Sequence, residues 1–146
     1  MHHQEPQARQ AVPASLDRIA RTVVDAGLKV HRALGPGLLE SAYEACLAHE
    51  LLQRGVALRR QVPLPLTYEG LELDAGYRLD LLVADELIVE VKAVEALSRL
   101  HEAQILTYLK LSGRRLGLLI NFNTCLFKDG IRRIIMCLGD LGALGG

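Results

Sequence analysis

The stretch that decides the fold spans residues 77–92 and reads YRLDLLVADELIVEVK. It contains two short apolar runs, and the acidic pair between them is typical of a tight turn. We therefore expect two neighbouring antiparallel strands. Because side chains alternate along a strand, Glu90 and Lys92 share one face, and the partner strand can present Asp80 on that same face. Two carboxylates and one ammonium group are then expected to meet at the end of a sheet.

This grouping suits the hydrolysis of a phosphodiester bond. Carboxylate oxygens are preferred ligands of Mg²⁺ and Mn²⁺, and a bound divalent ion polarises a phosphoryl group and helps to generate hydroxide. We predict that Asp80 and Glu90 bind the metal and that Lys92 orients water or stabilises developing charge. A pattern this short also fits an ordinary surface hairpin in which Lys92 pairs with a carboxylate, so the spacing alone leaves both interpretations open.

Several polar residues on the predicted helices could complete such a site. Glu40 shares a helix face with Tyr43 and is predicted as a further catalytic acid and metal ligand, although a half-exposed glutamate near a helix N-terminus explains it equally well. Gln104 and Tyr108 lie one turn apart on the third predicted helix, where they either position substrate or form an ordinary polar face. Tyr43 and His31 are also predicted to position the substrate, although a lone histidine is more often structural.

The apolar pattern indicates one domain over residues 15–137, with flexible termini at 1–14 and 138–146. Ser15 is expected to cap the first helix, which ends before a Gly-Pro-Gly turn. The remaining elements are predicted as a helix over 38–54, strands over 57–68, 71–83 and 87–92, a helix over 97–111, and strands over 115–122 and 131–136. The prolines at 63 and 65 predict an edge strand or an irregularity.

Composition excludes several classes of protein. Lys+Arg and Asp+Glu number 17 each, so the chain has no global basic field to attract nucleic acid. The three cysteines follow no CxxC spacing, which argues against a disulfide framework or a zinc site and favours reduced thiols in the cytoplasm. Neither a signal peptide nor an apolar run long enough to span a membrane is visible.

A series of motifs carries a family resemblance. Residues 37–43, GLLESAY, match the pattern GxxExxY, and QVPLPLTYEG, YRLDLLV, LIVEVKAV, AQILTYLKL and GLLINFN follow in order. The series covers about residues 16–136 and resembles the GxxExxY family, which is placed in the PD-(D/E)XK nuclease superfamily. This resemblance implies an α/β fold with a restriction-endonuclease-like core of order α-β-β-β-α-β. It further implies a mixed central sheet flanked by helices, with an extra N-terminal helix and a C-terminal strand.

The resemblance also implies residue roles. Asp80 would be the first acidic ligand, and Glu90 and Lys92 would form the (D/E)-x-K pair. Glu40 would be the acid carried on a helix. Gln104 and Tyr108 would form the Q-x-x-x-Y element. One departure is Leu79, which stands where the superfamily pattern has a proline.

Two main functional hypotheses follow. The first is a Mg²⁺- or Mn²⁺-dependent nuclease acting on nucleic acid, with DNA favoured over RNA. The second is a catalytically silent module on the same fold that binds nucleic acid or protein, which the balanced charge supports. A phosphodiesterase for a small phosphate ester is a weaker third reading. A homodimer or a protein partner is also considered, since a compact core of this kind can need help to find its substrate.

Overall fold

The structure, a computed structural model, describes residues 12–137 of the protein. Two helices come first, five strands follow, and a third helix precedes the last two strands. In chain order they are α1 (Ala14–Leu34), α2 (Glu40–Gln53), β1 (Leu58–Pro63), β2 (Leu66–Tyr68), β3 (Leu71–Leu73), β4 (Arg78–Val83), β5 (Leu87–Lys92), α3 (Arg99–Ser112), β6 (Leu116–Asn121), a 3-10 turn (Phe127–Gly130) and β7 (Ile131–Ile135).

Five of the strands form one mixed sheet in the order β1-β4-β5-β6-β7. β5 and β6 are parallel and are connected through α3, whereas the other neighbours in this sheet are antiparallel. β6 is buried at every position, which explains its nearly continuous apolar sequence. β2 and β3 pair with each other in a separate two-stranded sheet.

Helices cover both faces of the main sheet and enclose two apolar cores. The first, called the α1–α2 core, joins buried residues of α1 and α2 to one face of the sheet and includes Leu81, Val89 and Val91. The second, called the α3 core, joins α3 to the opposite face and includes Leu79 and Ile88. Alternation along β5 therefore sends odd-numbered and even-numbered side chains to different helical layers.

This architecture confirms the predicted fold class. The elements α2-β1-β4-β5-α3-β6 give the α-β-β-β-α-β core, and α1 and β7 are the predicted additions at its two ends. β1 lies at the edge of the sheet, as its proline-containing sequence predicts. The predicted strands over 57–68 and 71–83 are each interrupted, because the chain leaves the main sheet after Pro63 and forms the β2–β3 hairpin.

The start of α1 differs from the prediction. The Asp17 amide already donates to the carbonyl oxygen of Pro13 at 3.0 Å, so Pro13 occupies the N-cap position and Ser15 lies inside the helix. Val12 is buried in the α1–α2 core. The predicted flexible termini otherwise fall on residues 1–11 and 138–146, outside the described range. Within residues 12–137, no helix combines the length and apolar character needed to cross a membrane.

Candidate active site

β4 and β5 separate at Asp80 and Glu90. The paired ladder between the two strands ends at Leu81 and Val89. Beyond it, the Asp80 amide donates to Glu90 Oε2 at 2.9 Å, and the Val91 amide donates to Asp80 Oδ2 at 2.8 Å. Each carboxylate thus accepts a hydrogen bond from the opposite strand's backbone, which holds both side chains at the point where the strands part.

Glu90 is buried, and Asp80 beside it is half-buried. Glu90 is 5% exposed, and its burial, followed by the negative charge of Asp80, raises its pKa to about 8. Burial also raises the pKa of Asp80, although the hydrogen bond from Val91 and the positive charge of Lys92 oppose this rise. Buried carboxylates need either a proton or a cation to offset their charge. Glu90 therefore does not lie on an exposed surface hairpin.

Lys92 and Glu40 lie at the open side of this pair. Lys92 is half-buried two residues beyond Glu90, and its positive charge lowers the pKa of both buried carboxyls. Glu40 is the first residue of α2, and its Oε2 accepts a hydrogen bond from the Ala93 amide at 3.1 Å. Its negative charge contributes to the raised pKa of Asp80. The structure therefore brings Asp80, Glu90, Lys92 and Glu40 into one electrostatic cluster.

A buried asparagine fixes the chain just beyond this cluster. Asn121 is 1% exposed, and its side chain accepts from the Val94 amide at 3.0 Å and donates to the Val94 carbonyl oxygen at 2.9 Å. Asn121 also stands opposite Lys92 in the β5–β6 register. This double hydrogen bond prevents the end of β5 from fraying, so it holds the backbone that carries Lys92 and Ala93.

Sequence reasoning missed a further acidic residue, Glu44. It is 6% exposed and lies one helical turn after Glu40. Arg60 Nε donates to Glu44 Oε2 at 3.1 Å, and Gln61 Nε2 donates to Glu44 Oε1 at 2.8 Å. Burial and the charge of Asp80 raise the pKa of Glu44, while its bonds to Arg60 and Gln61 oppose the rise. The sequence signal for Glu44 was its position four residues after Glu40, which places both on one face of the helix.

A groove beside α3 adjoins the acidic cluster. It has a volume of about 270 Å³, and its wall includes Tyr77, Leu100, Gln104 and Tyr108. Tyr108 is half-buried, and its pKa is raised by burial and by the negative charges of the buried carboxylates. Tyr77 packs against Tyr108 with ring centroids 6.3 Å apart. Gln104 is exposed on the same helix face, so the two predicted residues line the groove together.

Tyr43 and His31 do not fit the predicted role in positioning a substrate. Tyr43 is fully buried, stacks on Phe122 at 4.7 Å, and its hydroxyl donates to the Gly35 carbonyl oxygen and accepts from the Leu38 amide. His31 is 7% exposed, and its Nε2 is bonded to the Thr124 carbonyl oxygen at 2.7 Å. Both side chains therefore have internal partners and stabilise the packing of α1 and the turn that precedes α2.

The carboxylates of the cluster suit a divalent cation, but they do not provide a complete coordination shell. Within residues 12–137, no three His, Cys, Asp or Glu side chains are grouped as a ready metal site. Asp80, Glu90 and Glu40 are thus not preassembled as a three-ligand group, and each of the three carboxylates accepts a hydrogen bond from a backbone amide. Mg²⁺ commonly binds through one or two carboxylates and completes its shell with water and substrate phosphate. Asp80 and Glu90 provide such hard oxygen donors, together with buried negative charge that a cation would offset.

Comparison with known proteins agrees with this geometry. A family model described as the PD-(D/E)XK nuclease superfamily matches residues 17–134, which includes every residue of the acidic cluster. Searches of curated proteins and of solved structures gave no significant match.

Proposed function

The chain belongs to the PD-(D/E)XK nuclease superfamily, and on this premise we propose that it is a divalent-metal-dependent nuclease that hydrolyses phosphodiester bonds in nucleic acid. One observation supports the proposal above all others. Buried Glu90 and half-buried Asp80 lie on adjacent strands, and each accepts a hydrogen bond from the other strand's backbone. No hydrogen bond from a basic side chain to either carboxyl is seen within residues 12–137, and a bound cation would favour the ionised form of Glu90, whose pKa is raised to about 8.

In the proposed site, Asp80 and Glu90 hold Mg²⁺ or Mn²⁺. The ion, when bound, would polarise the phosphoryl group and increase the acidity of water. Lys92 supplies an ammonium group that orients the attacking water or stabilises the negative charge that develops on phosphate. Glu40 assists from the N-terminus of α2, where its carboxylate already meets the end of β5. Its contribution is proposed as secondary, because it lies on α2, outside the pair of strands that carries Asp80 and Glu90.

The groove beside α3 is the proposed path of the substrate. Gln104 can donate to a phosphate, or donate to or accept from a base, and the Tyr77–Tyr108 pair offers aromatic surface against which a base can stack. Tyr108 links the groove to the reacting groups, because it lies within the field of both buried carboxylates. A substrate in this groove would therefore reach the cluster from the α3 side of the sheet.

Finer assignments remain proposals. Membership of the GxxExxY family is supported by the ordered motifs, and a cytoplasmic location by cysteines that form no disulfide among the described residues. DNA is proposed ahead of RNA. A homodimer or a protein partner is proposed because the balanced charge gives weak attraction to a polyanion, so that a second chain would help to retain the substrate.

The competing proposal is a catalytically silent binding module on the same fold. It is favoured by the neutral charge and by the absence of a ready three-ligand metal group within the described range. The two proposals differ in one respect that can be measured: only the nuclease requires Asp80, Glu90 and Lys92 for turnover.

The decisive experiment is a cleavage screen with single-stranded DNA, duplex DNA, nicked DNA and RNA in the presence of Mg²⁺ or Mn²⁺. Glu90→Gln and Lys92→Met should abolish cleavage while the protein stays folded. Glu95→Gln is the matched control, since Glu95 is an exposed carboxylate just beyond β5. Cleavage that survives in both active-site variants would indicate a contaminating nuclease. Binding to nucleic acid without cleavage of any substrate would favour the silent module.

A further inference from the structure

β1 and β4 are distorted at the same level, where Gln61 lies opposite Asp80. Pairs form on both sides of this position, between Arg60 and Leu81 and between Val62 and Leu79, but none forms between Gln61 and Asp80. Gln61 has φ 51°, in the left-handed region of the backbone. Residues other than glycine rarely adopt this conformation, and asparagine and aspartate tolerate it better than glutamine does. A left-handed residue within a strand therefore calls for a specific cause.

The distortion changes which face of the sheet the neighbouring side chains occupy. Leu81 lies in the α1–α2 core, whereas Leu79 lies in the α3 core, although two residues of one parity should share a face. On β1, Leu58 packs against the α1–α2 core and Val62 packs against the α3 core. In both strands, the alternating side chains therefore change to the opposite face of the sheet at the level of Gln61 and Asp80. The reversal allows the Asp80 carboxylate to turn towards the backbone of β5.

The side chain of Gln61 links two carboxylates. Its Nε2 donates to Glu44 Oε1 at 2.8 Å and to Asp80 Oδ1 at a longer 3.4 Å. A carboxamide nitrogen has two hydrogens, so it can serve both acceptors at once, and two carboxylates can be bridged only by a donor. Arg60 completes the arrangement through its ion pair with Glu44 at 3.1 Å.

A continuous series of contacts results. Glu44 on α2 binds Gln61 on β1, Gln61 binds Asp80 on β4, and the second oxygen of Asp80 accepts from the Val91 amide on β5. Asp80 Oδ1 and Oδ2 are thereby held from opposite sides. Without the carboxamide, Asp80 would face the like charge of Glu44 directly and would lose one of its two side-chain restraints.

We propose that Gln61 is a positioning residue, whose left-handed backbone and bridging carboxamide hold the Asp80 carboxylate against β5. The effect of Gln61 on catalysis rests on the proposed nuclease function, whereas its effect on the Asp80–Val91 hydrogen bond is independent of that function. Gln61 is not proposed to bind the metal or the substrate itself, and it acts through its hydrogen bonds to Asp80 and Glu44.

Gln61→Gly separates this role from a role in folding. Glycine adopts φ 51° freely, so the variant keeps the distorted backbone and loses the carboxamide; relief of backbone strain offsets part of the lost hydrogen bond to Glu44, and the variant should stay folded. The Val91 amide should then exchange with solvent roughly three- to tenfold faster, the factor expected for weakening one ordinary hydrogen bond. Amides of β6, which do not contact Gln61, serve as the internal reference. In the same variant, the Mn²⁺ concentration required for half-maximal cleavage should rise by a similar factor.

Glu69→Gly is the matched control. Glu69 has φ 47° in the exposed turn between β2 and β3, so glycine relieves the same kind of strain there without touching the cluster. It should leave both Val91 exchange and Mn²⁺ dependence unchanged. Gln61→Asn is a second test, because asparagine also tolerates the left-handed region but its amide is one methylene shorter and cannot reach both carboxylates. It should show the same loss as the glycine variant.

The outcomes distinguish the two proposals. Wild-type Val91 exchange in both Gln61 variants would overturn the positioning role, even if the protein is a nuclease. Faster Val91 exchange in a protein that never cleaves nucleic acid would support the positioning role and contradict the proposed function. If Glu69→Gly accelerated Val91 exchange equally, the effect would be one of general backbone loosening, and the proposal would be wrong.

Discussion

Replacing Glu90 by glutamine should stabilise the metal-free protein at alkaline pH. Glu90 is buried beside Asp80, and its pKa is raised to about 8 by burial and by that neighbouring charge. Glutamine matches the shape of the protonated carboxyl, and its carbonyl oxygen can still accept the hydrogen bond from the Asp80 amide. The substitution therefore removes an ionisation that the folded protein tolerates poorly, while it keeps the packing of β5.

The magnitude follows from the pKa. A rise from the ordinary value of 4.5 to about 8 corresponds to roughly 5 kcal/mol of unfolding free energy, an upper limit for a buried group. Between these two pH values the folded protein holds a proton that the unfolded chain has lost. The contribution of protonated Glu90 to the unfolding free energy is thus complete below pH 4.5, and it is lost as the pH rises through 8. Glu90→Gln should match the wild type near pH 5 and exceed it by several kcal/mol near pH 9.

Urea denaturation at pH 5, 7 and 9 in the presence of a chelator measures this difference. Glu95→Gln is the control, because its exposed carboxylate is hydrated in both states and its substitution should have no pH-dependent effect. Other buried carboxyls titrate in both proteins, so the difference between wild type and Glu90→Gln is the quantity to compare. If that difference stayed constant from pH 5 to 9, or if the wild type gained stability over Glu90→Gln at high pH, the reasoning about this buried pair would be refuted.

Three further predictions concern stability. Tyr43→Phe should lower the unfolding free energy by about 1–2 kcal/mol, because a loop amide and carbonyl lose their partner; an unchanged urea midpoint would contradict this. Arg60→Met should lower it by about 1–3 kcal/mol by leaving buried Glu44 without its cation, and Glu44→Gln should restore most of the loss. Simple additivity in that double-mutant cycle would argue against the pair. Gly130→Ala should lower the melting temperature markedly, because its Cβ would collide with a backbone carbonyl of β6; an unchanged melt would show that the turn can move.

The sequence predicted the main sheet well because its central strands are strongly apolar. β5 and β6 are buried on both faces, so their runs of aliphatic residues could be recognised without knowledge of their partners. The β2–β3 hairpin was harder to predict. Its strands have three residues each and are mostly exposed, so no hydrophobic alternation marked where the chain left the main sheet.

The acidic cluster could be predicted in part for a similar reason. Period-two alternation placed Glu90 and Lys92 together, and a short turn brought Asp80 beside them. Glu44 was missed because its burial depends on Arg60, which is distant in sequence. The left-handed backbone of Gln61 was missed because glutamine gives no sequence signal for a positive φ.

Two of the residues expected to position a substrate have surroundings that the sequence did not reveal. Tyr43 was selected because it shares a helix face with Glu40, and His31 because it lies near the Gly-Pro-Gly turn, and both have the capacity to form hydrogen bonds. Inside the fold that capacity is used for backbone carbonyls and amides of loops. A helical pattern shows which face a side chain occupies, but it does not show whether a loop covers that face.

Isothermal titration of Mn²⁺ into the metal-free protein and into Asp80→Asn tests the central claim most directly. If the buried carboxylates of β4 and β5 form a divalent-cation site, the wild type should bind Mn²⁺ with a stoichiometry near one, and the Asp80 variant should bind far more weakly while retaining its fold. Equal Mn²⁺ binding by the two proteins, or no binding by either, would contradict the assignment of a metal site to these strands.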